Sequence, residues 1–400
     1  MIAHFVKLLP AGGVVYSGRV MMKLACTLHL CRSALLLLLF STSCRAEITL
    51  LRADPQGGSL LSRFNLRVGG DIRMSIYDVM GGKDRGSYQR NLFDGGSRLR
   101  FHLRYQVDDD FSLVGYAETG VNSAELIGWH GHYAEGARNT SNRQLFAGVR
   151  SQRWGELTWG HRDSIYYQVV TAKTDIWGND MHTEPVENGM EANADGSWHA
   201  RRSLNYLQHF GPVDLYASYL FPVNPYYSRG ARYKRHDGQS LGIDDHLTPR
   251  LSWGLAWNRT RASMSDAQQQ RKRFDQQILG TGFSWKPGYW TVAVTGGWFR
   301  NFTPLAGRPL RRYFATRAWG LSYFIGRDFA VNRYGLKSIM PIYFGAQLRA
   351  GQHRERYQRE NGLGVEFFLY KGFRFDYQHV FRSSNDHIGD LNLFRLRYDF

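Results

Sequence analysis

The stretch Arg98-Leu-Arg-Phe-His-Leu-Arg-Tyr105 alternates strictly between two characters. Arg98, Arg100, His102 and Arg104 fall on one side of an extended chain; Leu99, Phe101, Leu103 and Tyr105 fall on the other. Period two is the strand period, because successive side chains point to opposite faces. The alternation recurs at Leu251/Trp253/Leu255/Trp257, at Trp290/Val292/Val294 and at Phe373/Phe375/Tyr377/His379/Phe381. It returns in Phe394/Leu396/Tyr398/Phe400, opposed by Arg395, Arg397 and Asp399.

Fifteen such strands are expected, starting near Phe64, Arg98, Phe111, Arg143, Glu156, Arg202, Val213, Thr248, Phe274, Tyr289, Tyr313, Lys337, Asn361, Gly372 and Leu391. A sixteenth, around residues 238–246, is interrupted by Asp244-Asp245. Short turns separate some of them: Val107-Asp-Asp-Asp110, Arg153-Trp-Gly155, Phe210-Gly-Pro212, Lys286-Pro-Gly288 and Tyr370-Lys-Gly372. Long polar connections, at 122–141, 163–199, 222–240 and 260–272, alternate with the short ones. A sheet polar on one face and apolar on the other is either a half-buried soluble sheet or a membrane barrel. Strands of about ten residues, and loops long on one side and short on the other, favour a barrel whose apolar face meets lipid. Aromatic residues near strand ends, such as Tyr289-Trp290, Trp298-Phe299 and Phe367-Phe368, fit interfacial girdles. The expected fold class is therefore all-β, a transmembrane antiparallel β-barrel, and an even strand number makes it sixteen. No internal repeat or linker is visible, so residues 47–400 read as one outer-membrane barrel domain.

Composition agrees. The 400 residues are 43% hydrophobic and 14% aromatic, which excludes low complexity and disorder. Past residue 46 no segment offers the ~20 apolar residues of a spanning helix. A mean hydropathy of −0.43 is no obstacle to a barrel, since only every second strand residue meets lipid. The three cysteines are Cys26, Cys31 and Cys44, which argues against a disulfide scaffold, a Cys-ligated zinc site and thiol catalysis.

Residues 22–46, MKLACTLHLCRSALLLLLFSTSCRA, have basic Lys23 and Arg32, an apolar core from Ala34 to Phe40, and small residues leading to Ala46. That is a secretory signal with cleavage expected after Ala46, and residues 1–20 before Met21-Met22 read as an over-long start. Lipidation at Cys44 is the alternative, but Ser41 stands where a lipoprotein signal has Leu. Residues 1–46 are thus an N-terminal extension and signal peptide. They hold five basic residues and no acid, leaving 46 basic against 34 acidic groups in the remainder.

These residues resemble a known family, the trimeric general porins of Gram-negative bacterial outer membranes. Ala46-Glu-Ile48 is similar to that family's mature start. Ser97-Arg-Leu-Arg-Phe101 with Val107-Asp-Asp-Asp110 resembles its second strand and periplasmic turn. Asn122-Ser-Ala-Glu125 sits where its second extracellular loop begins. Arg143-Gln-Leu-Phe-Ala-Gly-Val149 and Gly155-Glu-Leu-Thr-Trp-Gly160 resemble its fourth and fifth strands. Phe400, with Tyr398 and Phe394, is similar to the C-terminal signal such barrels present to the insertion machinery. The resemblance is specific over residues 46–221. It implies a water-filled channel for passive diffusion of ions and small hydrophilic solutes, three barrels per assembly, and a third extracellular loop folded inward to narrow each pore. It also implies an outer-membrane, multi-pass location in contact with lipid and lipopolysaccharide.

Carried over by position, Arg98 and Arg143 fall at basic residues of the constriction wall, and Arg201 or Arg202 near a third. Where the family has a wall lysine on the first strand, this chain has Gly69, with Arg67 or Arg73 as substitutes. The third loop is expected at 163–200. Thr174-Asp-Ile176 matches its approach, but the family's Pro-Glu-Phe-Gly-Gly element is absent. Asp175, Asp180, Glu184 and Glu187 are the acids available to face the basic wall.

Rows of opposite charge across a narrow lumen create a transverse field, and their balance sets ion preference. The lumen side is rich in arginine, at Arg98, Arg100, Arg104, Arg374, Arg382, Arg395 and Arg397, and the chain has 42 Arg against 9 Lys. That tilts the pore toward anions, unless these arginines are spent on lumen acids or on lipopolysaccharide phosphates. A channel specific for a sugar or organic anion is the nearest alternative, because the third loop is unusual. A barrel enzyme would need an acid–His or Ser–His set, and His161, Asp163 and Ser164 cannot be assembled from neighbouring strand positions. His130-Gly-His132 reads as a solvated loop rather than a metal pair, and Asp108-Asp109-Asp110 as a polar turn rather than a calcium site. Spread charge and an export signal argue against nucleic acid. No cofactor and no metal are expected.

Overall fold

The structure, a computed structural model, describes residues 47–54, 59–83, 89–128, 140–177, 189–190, 192–228, 231–266, 270–305, 307–352 and 355–400. It is a closed antiparallel barrel of sixteen strands. β1 is Phe64–Gly82. β2 runs through Gln89–Asp94 and Arg98–Gln106, interrupted at residues 95–97. β3 to β6 are Phe111–Val121, Thr140–Ser151, Gly155–Asp163 and His199–Phe210. β7 is Val213–Leu220, continued by Tyr226–Ser228, and β8 to β11 are Ala231–Thr248, Leu251–Ser265, Arg271–Trp285 and Trp290–Arg300. β12 is Ala318–Arg327, continued by Phe329–Arg333, and β13 to β16 are Leu336–Ala350, Arg356–Leu369, Phe373–Ser384 and Ile388–Asp399.

Closure is made by β16 on β1, in register from Asp71 opposite Asp399 to Gly82 opposite Ile388. One step further, Gly70 N donates to Phe400 O (2.9 Å) and Phe400 N to Gly70 O (3.1 Å). The ladder then passes to the other end of the chain, because Glu47–Leu51 pairs with β1 beginning at Glu47 opposite Gly69. The sixteenth strand is therefore built from both ends of residues 47–400, and no edge is left open at the seam. A spanning sheet requires this, since lipid supplies no partner for a free N–H or C=O.

The barrel is apolar outside and polar inside. Leu241 and Leu363 are 56% and 55% exposed, whereas Gln378 and Thr260 are fully buried. Alternation therefore points large apolar side chains at lipid, as expected for this class. The short turns read from the sequence lie where predicted. At 107–110, Asp108 Oδ1 accepts from the amides of Asp110 (2.9 Å) and Phe111 (2.7 Å). Asp110 reaches across to the β4–β5 turn, accepting from Ser151 Oγ (2.9 Å) and Gln152 N (2.8 Å).

Some expectations need correcting. The weak strand near residues 238–246 is a full wall strand, β8. Asp244 does not break it, because that side chain faces inward and is held by Lys173. Residues 231–240 and most of 260–272 are strand rather than loop. Their polarity belongs to cross-strand ion pairs, Arg261 with Asp237 (2.7 Å) and Arg259 with Asp275 (2.8 Å). No strand starts at Tyr313; β12 begins at Ala318. The apolar residues before it belong to the β11–β12 connection, where Phe302, Leu305 and Phe314 are buried in internal clusters. Nor is the lumen polar throughout. Phe324, Met340, Ile342, Phe344, Val380 and Leu391 form a buried apolar cluster, against which Ile176 packs. His130 and His132 lie outside the described residues.

Two outcomes follow. Leu255→Arg puts a charge on the lipid face of β9 and is expected to cost about 2–4 kcal/mol, read by denaturant titration in lipid vesicles. At Asp110, desolvation pushes the carboxyl up, but hydrogen bonds from Ser151 and from the amides of Arg153 and Gln152 prevail and hold it below the usual carboxylate range. Its contribution is present at neutral pH and lost as pH falls through that lowered value, below about pH 4. Asp110→Asn should therefore flatten the acid limb of the unfolding profile while leaving the shape above pH 5 unchanged.

Candidate functional site: the charged waist of the lumen

Two carboxylates buried in the wall organise the waist: Asp71 on β1 and Glu118 on β3. Arg100 bridges them, its Nη2 2.8 Å from Asp71 Oδ2 and its Nε 3.0 Å from Glu118 Oε2. Arg143 Nε donates to Glu118 Oε1 (2.6 Å), and Arg73 Nε donates to Asp71. Arg98 lies 3.7 Å from each carboxylate, and Arg397 is 3.8 Å from Asp71 while pairing with Asp399 at 2.5 Å. Tyr116 donates its hydroxyl to Glu118 (3.0 Å).

Register explains the convergence. The tight turn at 107–110 sets Arg100 directly opposite Glu118, and the β1–β2 pairing sets Asp71 opposite Arg98. Arg143 arrives by a bulge. Glu118 pairs with Gln144 and Thr119 with Asn142, so Arg143 is an extra residue between two paired ones. A bulge re-aims a side chain, and here it turns Arg143 toward Glu118.

The β5–β6 connection supplies the other side. It opens with a short helix, α1 (Ile165–Val169), whose Ser164 Oγ accepts from Tyr167 N (3.1 Å). This segment lies against inward-facing small residues of β8 to β11. A Cβ added at Gly280 or Gly297 would stand 2.1 or 2.4 Å from the Tyr166 hydroxyl, so the ring needs glycine at both positions. Lys173 Nζ binds Asp244 (2.8 and 3.0 Å) and Ser252 Oγ (2.9 Å). On the return leg, fully buried Arg235 donates to the carbonyls of Ala194 (2.6 Å), Phe221 (2.7 Å) and Arg201. Ser164 N donates to Trp198 O (2.6 Å), and His199 Nδ1 lies 2.7 Å from Asp163 Oδ1, joining the two stems.

Between waist and connection lies a cavity of about 560 Å³, lined by Arg73, Arg98, Arg143, Arg397, Tyr167, Asp175, Trp177 and Trp198 among others. Trp177 is flanked by three guanidiniums, with Arg395, Arg73 and Arg397 at 4.2, 5.2 and 5.3 Å from its ring centroid. Arg143 stands 5.2 Å over Trp198. Asp175 accepts from the Tyr167 hydroxyl. Burial, then the nearby Asp175 and Asp163 carboxylates, push that hydroxyl well above the ordinary tyrosine value, so it stays a neutral donor.

Of the residues expected from the sequence, Arg98, Arg143 and Asp175 share this cavity. Arg201 and Arg202 are exposed and do not line it. They lie where β5 and β6 lose register between Gly160 and Arg162, and Arg202 has a φ of 51° and donates to Pro222 O (3.4 Å). Asp180, Glu184 and Glu187 lie outside the described residues. For the Gly69 question, Arg73 is the residue at the waist, whereas Arg67 pairs with Glu47 (2.8 Å). Neither alternation nor the family resemblance singles out Asp71, Glu118 or the two tryptophans. For Glu118 the signal was present: pairing across the 107–110 turn places it opposite Arg100.

The inner-face arginines are largely paired, yet the pairing is uneven. Asp71, Glu118, Asp376 and Asp399 pair with Arg73, Arg143, Arg395 and Arg397. In the cavity lining itself, however, the guanidiniums of Arg73, Arg98, Arg143, Arg395 and Arg397 outnumber the carboxylates of Asp94 and Asp175, and low-dielectric walls strengthen the field of that positive lining.

The chain matches the description of a Gram-negative porin over residues 33–331. No curated protein matches it. Among solved structures, OmpF of Salmonella typhi in complex with daunomycin is similar at 15% identity and a TM-score of 0.65, covering 84% of this chain and 98% of its own. An anion-selective porin from Comamonas acidovorans is similar at 14% identity and a TM-score of 0.57, covering 84% of this chain and 100% of its own. The outer membrane channel DcaP of Acinetobacter baumannii is similar at 11% identity and a TM-score of 0.59, covering 88% and 100%. With a sixteen-stranded barrel, a charged lumen and a family match across most of its length, the chain belongs to the Gram-negative porins and forms an outer-membrane channel.

Proposed function

We propose that this porin is a non-enzymatic diffusion pore that prefers anions. In this reading Arg98 and Arg143, with Arg73, Arg100 and Arg397, form the basic wall of its constriction, and Asp175 belongs to the acidic side with Asp180, Glu184 and Glu187. The observation that carries the reading is the surplus of guanidinium over carboxylate where the wall faces the β5–β6 connection. A fixed positive field at a narrow point raises the local concentration of anions and repels cations. A barrel of the same fold from Comamonas acidovorans is anion-selective, so the architecture accommodates that preference. The working assembly is a homotrimer in contact with lipopolysaccharide, exported by cleavage near Ala46 and inserted through a signal ending at Phe400. Among solved barrels of this fold is a trimer form of OmpT from Vibrio cholerae.

A channel specific for an organic anion is the second reading. It is favoured by the aromatic lining, since Tyr167, Trp177 and Trp198 share the cavity with the arginines.

Single-channel recording in a planar bilayer under a KCl gradient tests the first reading. Steps in triplets with an anion-preferring reversal potential are expected; a cation-preferring reversal sinks it. Arg98→Gln with Arg143→Gln should lower the anion-to-cation permeability ratio by about two- to five-fold. Glu118→Gln, which leaves its arginines unneutralised, should move the ratio the opposite way. Block by one solute at low concentration, with others passing freely, would favour the specific channel.

A further inference from the structure

Along β2 toward the short-turn end, the inward positions after Arg100 are His102 and Arg104. Here the lumen holds a second cavity of about 680 Å³, distinct in its lining from the one above. In barrels of this class the short turns face the periplasm. The charges here differ from those of the waist in one respect. Arg150 and Arg162 share Glu156, and Arg67 shares Glu47 with His102. Arg52, Arg63 and Arg104 also line the cavity, but no carboxylate among the described residues pairs with them. Arg104 Nε donates to Ser112 Oγ (3.1 Å) and Arg63 Nη1 to Val107 O (3.0 Å), both neutral acceptors. Each guanidinium has five donors, so most of this capacity is unused among the described residues.

We propose that these three arginines form a second anion station, at the periplasmic end of the pore, for small oxyanions carrying two or more negative charges. Several observations select that class. Guanidinium forks match the paired oxygens of carboxylate and phosphate. Arg104 stands on β2 opposite Asn65, Arg63 precedes β1 and Arg52 follows the Glu47–Leu51 strand, so the three reach the cavity from separate segments and address separate anionic groups rather than one point charge. A cavity of this size also holds a solute much larger than chloride. The waist holds such an anion less strongly, because its arginines are more fully engaged by Asp71, Glu118, Asp399 and the two tryptophans. An anion leaving the waist therefore moves toward less neutralised charge and is held there. The inference rests on the channel shown above and extends the proposed anion preference, yet it has its own readout.

That readout is sided block. Tripolyphosphate, citrate and acetate are added in turn to either chamber, with the full barrel conducting KCl. Asp109→Cys identifies the short-turn side through a membrane-impermeant thiol reagent, since no cysteine follows Cys44. Tripolyphosphate and citrate should block at about ten-fold lower concentration from the short-turn side, while monovalent acetate should not block. Block by tripolyphosphate alone would narrow the class to phosphates and overturn the shared-oxyanion form. Replacing Arg52, Arg63 and Arg104 with Gln should raise the half-blocking concentration by about ten-fold or more, the loss of one charge-assisted contact alone being worth that factor. Arg104→Gln alone guards against failure of the triple variant to fold, with the unheated electrophoretic mobility reporting the intact barrel. Equal block from both sides, or block indifferent to these substitutions in folded protein, overturns the proposal. An anion-preferring reversal without sided block would sink this station and leave the selectivity reading standing, while a cation-preferring reversal with sided block would do the opposite.

Discussion

Every other feature of this molecule depends on the absence of hydrogen-bonding solvent around its backbone. In lipid an open sheet edge is not tolerated, so the sheet must return to its first strand. The chain solves this at Gly70 and Phe400, whose amides and carbonyls exchange two hydrogen bonds, and by continuing the ladder with Glu47–Leu51. Once sixteen strands close, alternation assigns each side chain to lipid or to the interior. That assignment places Arg73, Arg98, Arg100 and Arg397 in one space although they come from three strands, one of them more than 290 positions away in the chain.

Closure also explains the buried acids. An inward arginine row would repel itself in a low-dielectric interior, and Asp71 and Glu118 relieve that by each accepting from more than one guanidinium. The compensation is incomplete at the waist, and among the described residues no carboxylate supplies it at Arg52, Arg63 and Arg104. Positive charge left uncompensated inside a wall is destabilising unless solvent or solute reaches it, which is the condition a water-filled lumen meets.

Much of this was legible in residue order because period two is a strong signal when large apolar residues occupy every second place, as from Leu99 to Tyr105. It failed where inward and outward character stopped matching polarity. In β8 the outward positions include Gln239 and Asp245, and inward Asp244 resembled an interruption, since its partner Lys173 is 71 positions away. The residues before Ala318 are apolar because they pack inside the barrel, a long-range fact that no local pattern carries. At the waist, Arg98 and Arg100 could be read from alternation alone. Arg143 departs from alternation through its bulge and was accessible through family resemblance, while the same resemblance placed weight on Arg201 and Arg202, which a neighbouring loss of register leaves outside the cavity. Glu118 needed only the register of a tight turn, an inference of pairing rather than pattern.

The interior charges consequently divide into two kinds. Arg235 is fully buried and surrounded by backbone carbonyls, and Lys173 is enclosed by Asp244 and Ser252; both hold the β5–β6 connection against the wall of β8 and β9. With that connection lying on β8 to β11 and apolar side chains clustered on β12 to β16, the two polar cavities are left mainly along β1 to β5 and the arginines of β16. The basic wall is thus where a solute must travel because the opposite wall is already occupied. A charge placed on β10 or β11 would meet the connection instead of water and would need a partner as Lys173 does. Arginines on β1 and β2 can remain partly unpaired because the folded connection faces them across a cavity, meeting Arg73 through the Trp177 ring.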